Sequence, residues 1–78
     1  MIERKYNPRD YDWYAGEFME KVYDGVDRWK KTGSIADRAK VRHDMMALRT
    51  SLKVLAMDGD ISTTQRDEML DYFLRITL

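Results

Sequence analysis

Few side chains in this sequence are equipped for chemistry. His43 is the only histidine and cysteine is absent, which excludes thiol nucleophiles, thiolate metal cages and disulfides. Asp44 follows His43 directly but would point ~100° away around a helix, so the two are not expected to share a face. No HExxH, ExxH or triad-like spacing sets a second ligand or a base beside the histidine. The stretch Asp58-Gly59-Asp60-Ile61-Ser62 has the wording of a calcium loop. Setting Gly59 at the obligatory glycine, however, puts Val54 first, Ala56 third and Gln65 last, where the loop needs oxygen ligands and a bidentate glutamate. Gly33 and Gly59 stand alone and neither precedes a Lys-Ser/Thr pair, so there is no phosphate loop. Carboxylates abound, but no two are marked out as a catalytic pair. No catalytic residue, metal or cofactor is expected, and the chain reads as a non-enzyme.

Charge is more informative. The 14 basic and 14 acidic residues cancel, yet they are segregated. Asp10, Trp13, Glu17, Glu20, Asp24 and Asp27 recur at steps of three and four, which makes one helical stripe about 100° wide. Trp13 stands inside this acidic row. The row is either a solvated face whose tryptophan the N-terminal arm covers, or a protein-binding face anchored on Trp13, a residue type enriched at interface hot spots. Arg38, Arg42, Arg49 and Lys53 carry the opposite sign and fall within ~60° of one another on a later helix. They are the candidate phosphate contacts. Four cations flanked by Asp37 and Asp44, in a neutral chain, offer little of the phosphate neutralisation that drives nucleic-acid affinity.

These rows need helices to hold them. Asn7-Pro8-Arg9-Asp10 is a helix start, with Asn7 as cap, Pro8 in the first position and Asp10 at the positive end of the dipole. Tyr11, Ala15, Phe18, Val22, Val26 and Trp29 then form an inner stripe at helical spacing, while Trp13 and Tyr23 lie off it. Gly16 and Gly25 cost ~1 kcal/mol each as helix interiors unless they allow close packing. Gly33 ends this helix. Ser34, with Asp37 three residues on, resembles a capping box opening a second helix. Its inner stripe is Val41, Met45, Leu48, Leu52 and Leu55. A second apolar set, Ile35, Ala39, Met46 and Met57, lies on another side, as in a middle helix touching two neighbours. Gly59 ends it as a left-handed C′ residue. Ser62-Thr63-Thr64-Gln65 is a capping box for a third helix, with Met69, Leu70, Phe73, Leu74 and Ile76 inward.

The expected fold is all-α: a small antiparallel three-helix domain with helices near 8–32, 35–58 and 62–76 and an irregular arm over 1–7. A chain of 78 residues holds one domain with a thin core. No apolar run approaches the ~20 residues that span a bilayer, and Met1 to Lys5 lacks the apolar segment of a signal peptide. A cytoplasmic location without membrane association is therefore expected. The leading functional expectation is a protein–protein interaction module, an inhibitor or modulator whose acidic first-helix face occupies a basic, nucleic-acid-handling surface of a larger protein. The alternative is a small DNA- or RNA-binding regulator using Arg38, Arg42, Arg49 and Lys53. The surplus apolar residues of the second helix also suit a homo-oligomer.

Overall fold

The computed structural model describes residues 2–11 and 13–78, and for Trp13 the backbone alone. Met1 and Asp12 lie outside the described residues. The described residues form three antiparallel α-helices, α1 Trp13–Thr32, α2 Ile35–Met57 and α3 Thr63–Ile76, and no strand occurs among those residues. The all-α expectation holds, and α2 and α3 begin and end within a residue of their expected bounds.

The start of α1 is the main departure. Pro8–Asp10 is a separate 3-10 turn, not the first turn of a long helix. Asn7 does cap it, accepting from the Arg9 N–H at 3.0 Å. Tyr11 is then extended, with ψ at 161°, and the chain bends before α1. Gly16 shows why the turn folds back: a Cβ there would stand 2.3 Å from the Pro8 carbonyl oxygen. Gly25 plays the packing role its position suggests, since its Cβ would lie 3.0 Å from a Val41 methyl, between α1 and α2.

The turns follow local chemistry. Gly33 has φ at +66°, the left-handed conformation that glycine adopts without cost. Ser34 caps α2 by accepting from the Asp37 N–H at 3.4 Å. The capping box is only half made, because the Asp37 carboxylate accepts from the Thr32 hydroxyl at 2.6 Å instead of from Ser34. At the other end, Asp60 N–H donates to the Leu55 carbonyl at 2.9 Å and Gly59 N–H to that of Ala56 at 3.2 Å. This is a Schellman turn, and it is what Asp58-Gly59-Asp60 builds. The Ser62 box is complete: Gln65 N–H donates to Ser62 Oγ at 3.0 Å and Ser62 N–H to Gln65 Oε1 at 2.8 Å.

The core lies where Met19, Val22 and Val26 of α1 meet Val41, Leu48 and Leu52 of α2, with Met69 and Phe73 of α3 closing it. Tyr23 corrects the sequence reading: it is fully buried. Its ring lies off the α2-facing stripe and meets Phe73 at 5.1 Å and Tyr72 at 6.4 Å between centroids, so α3 and the arm bury it. Leu74 departs the other way and is half exposed. The second apolar set of α2 is not packed on a neighbour either: Ile35, Met46 and Met57 are 88%, 72% and 75% exposed. No described helix is long and apolar enough to cross a membrane.

Candidate interaction surfaces

The acidic row is built differently from its linear pattern. Asp10 sits in the 3-10 turn and leaves the helical stripe. The anchoring role of Trp13 concerns a side chain outside the described residues. Of the remaining four, Glu17 pairs with Lys21 at 3.4 Å. Asp24 and Asp27 receive the Arg4 guanidinium at 2.8 and 3.2 Å. Only Glu20 among the four has no cationic partner among the described residues.

Arg4 reaches them because the N-terminal arm is strapped across α1 and α3. Lys5 N–H donates to the Tyr72 hydroxyl at 3.1 Å, and that hydroxyl donates to the Glu3 carbonyl. Tyr6 N–H donates to the Tyr23 hydroxyl at 3.1 Å, and Ile2 N–H to the Asp27 carboxylate at 3.0 Å. The Arg4 guanidinium also stands 5.1 Å from the centre of the Tyr23 ring, within cation–π range. The Ile2 N–H bond, opposed by desolvation and joined by Arg4, holds the Asp27 carboxyl below its ordinary value. The acidic row thus works as a clasp for the chain's own arm.

The basic row divides in two. Arg38 is committed to the fold: its guanidinium lies 4.4 Å from the Trp29 ring centre and donates to the Thr77 carbonyl, tying α2 to the end of α3. Arg42, Arg49 and Lys53 are exposed, and none has an ionic partner among the described residues. In the linear sequence these cations and the surplus apolar residues of α2 form two separate sets. On the helix they interleave. Ile35, Ala39, Arg42, Met46, Arg49, Lys53 and Met57 fall within ~80° at 100° per residue, a signal available by overlaying the two sets on one wheel. A shallow groove of about 550 Å³ runs beside this face, between α2 and the C-terminal part of α3, where Met45, Met46 and Leu74 meet Arg42 and the Asp71–Arg75 ion pair.

His43 is exposed, and it does meet its neighbour: Nδ1 lies 3.6 Å from the Asp44 carboxylate. The two do lie on different faces, His43 exposed and Asp44 buried, yet the Asp44 carboxylate at the boundary between them also takes Lys40 at 3.4 Å. No group of three His, Cys, Asp or Glu side chains among the described residues is arranged to hold a metal ion. Comparison of the chain with protein-family models, with curated proteins and with solved structures finds no match.

Proposed function

We propose that the protein is a non-enzymatic interaction module whose contact face is the solvent side of α2. One observation carries this reading. Along that face Ile35, Met46 and Met57 are 88%, 72% and 75% exposed, in register with three cations that have no counter-charge among the described residues. Large apolar side chains grouped on a surface and rimmed by polar groups are the usual mark of a contact site. Methionine suits such a site because its unbranched side chain adapts to its partner.

A second reading keeps the acidic α1 face as the docking surface for a basic partner. Its support is Arg4 itself, which shows that Asp24, Asp27 and the Tyr23 ring accept a guanidinium. A basic partner there has to displace the arm. Direct phosphate binding by the α2 row is weaker, since Arg38 is engaged internally and three cations remain.

A photo-crosslinking residue placed at Met46 and, separately, at Glu20 distinguishes the faces. In the native cell, position 46 is expected to capture one dominant protein, to be identified by mass spectrometry and then bound by the purified chain. Capture from Glu20 alone favours the α1 face.

A further inference from the structure

We infer that α2 and the end of α3 together receive an acidic amphipathic helix of a partner protein, a conclusion that rests on α2 being the contact face. The groove of about 550 Å³ between them is lined by Met45, Met46, Leu74 and Leu78. Its one acidic side chain, Asp71, is neutralised by Arg75 at 2.7 Å, which leaves Arg42 as the lining cation without an ionic or backbone partner among the described residues. Met46 and Leu74 are 72% and 48% exposed, so apolar side chains are offered to whatever lies along the groove. Arg42 stands on its bank, and Arg49 and Lys53 continue the row down α2. From Arg42 to Lys53 the row spans roughly 16 Å, about three helical turns at 1.5 Å per residue. A partner helix with apolar residues at i, i+3 and i+7 and carboxylates beside them meets both features over that length.

Other occupants fit less well. A second copy packed α2 on α2 about a two-fold axis sets Arg42 near Arg49 of the other chain, bringing like charges together. A second copy offering its acidic α1 row presents Asp24 and Asp27, which Arg4 already holds. A nucleic-acid backbone gives Met46 and Leu74 nothing apolar to bury against, and three unpaired cations are few for phosphate-driven affinity.

The test is a titration of the full isotope-labelled chain, followed by amide chemical shifts. The probe is a synthetic helix-forming peptide about fifteen residues long, leucine at i, i+3 and i+7 and glutamate alongside. A scrambled peptide of identical composition and a lysine-for-glutamate version are the controls. Binding of the acidic helix is expected, with shifts centred on Arg42, Met46 and Leu74 and at least about tenfold weaker binding of the controls. Met46→Asp and the Arg42→Glu/Lys53→Glu double variant, both at exposed sites, are each expected to weaken it about tenfold or more with unchanged circular dichroism. Equal binding of the scrambled peptide, or full binding by both variants, overturns the inference. Shifts on α2 produced by duplex DNA or by self-association, and not by the acidic helix, overturn the occupant while α2 stands as the contact face. If crosslinking at Met46 also captures nothing, the contact-face reading falls with it.

Discussion

The Tyr23 hydroxyl and the Tyr6 backbone are bound to each other twice. Tyr6 N–H donates to the hydroxyl and the hydroxyl donates to the Tyr6 carbonyl, both at 3.1 Å. A helix side chain thereby satisfies a donor and an acceptor of an irregular segment that has no ladder or helix to join. The arm is ordered by α1 at the point where Tyr6 also stacks on Phe73, 6.0 Å between centroids.

Replacing this hydroxyl tests the relationship. Tyr23→Phe keeps the ring packing but leaves two half-buried backbone groups of Tyr6 unpaired, a loss of ~1–3 kcal/mol. Urea unfolding should show it as a lower midpoint. The pH dependence has a definite sign. Burial pushes the Tyr23 phenol above its ordinary value of 10.0, so the fold favours the protonated form. That contribution is complete below about pH 10 and is lost as pH rises toward the folded-state value. Wild-type stability should fall above about pH 10, and the Tyr23→Phe variant should fall less steeply.

Core truncation addresses the architecture. Leu48 and Leu52 are fully buried between the helices, and the chain has little other interior. Leu48→Ala or Leu52→Ala should each cost ~2–5 kcal/mol, against a total stability of ~5–15 kcal/mol for ordinary domains. Thermal melts followed by circular dichroism should show a loss of about 8 °C or more.

How much the sequence discloses depends on how local each determinant is. The α2 and α3 boundaries were legible because Ser62, Gln65 and Gly59 act within one turn of themselves. The inner stripe of α2 was legible because Val41, Leu48 and Leu52 repeat at the helical period. Tyr23 was not, since its burial depends on Tyr6 and Phe73, which are 17 and 50 residues away in sequence and off the α1 stripe. The acidic row was legible as a pattern but not as a clasp. Nothing in the spacing of Asp24 and Asp27 shows that Arg4 returns across them. Asp10 lies outside the row because Asn7 and Pro8 suit a tight turn as readily as a helix start, and the turn's close seat against Gly16 is not visible in the local sequence.

The clasp itself should open in acid. The Ile2 N–H bond, with Arg4, holds the Asp27 carboxyl below its ordinary value of 3.8. A lowered folded-state value means that this stabilisation is present above about pH 4 and is lost as pH falls through the folded value. Protonation then weakens the bond to Ile2 and the hold on Arg4. Because the Arg4 pairs are solvent-exposed, their net worth is ~0–1 kcal/mol. Asp27→Ala, which removes the acceptor as well as the charge, should therefore barely move the melting temperature at neutral pH, while hydrogen exchange at Ile2 and Tyr6 speeds up. Unchanged exchange would show that the tyrosines hold the arm alone.

Gly16 and Gly25 set helix propensity directly against packing. Alanine is favoured over glycine within a helix by ~1 kcal/mol, so on propensity alone both Gly→Ala changes should stabilise α1. The space around them says otherwise. At Gly16 the new Cβ would meet the Pro8 carbonyl oxygen at 2.3 Å, a backbone atom that moves only if the whole Pro8–Asp10 turn moves. At Gly25 it would meet a Val41 methyl at 3.0 Å, where a small shift of α1 relative to α2 relieves the contact at some loss of packing. Gly16→Ala should accordingly cost ~1–3 kcal/mol and remove exchange protection from the Asp10 amide, which donates to Asn7 at 3.0 Å. Gly25→Ala should be milder, because propensity offsets part of the strain. Denaturant midpoints and exchange rates for the two variants separate these effects. If Gly16→Ala raises stability, the turn does not rest on α1, and the bend at Tyr11 must have another cause.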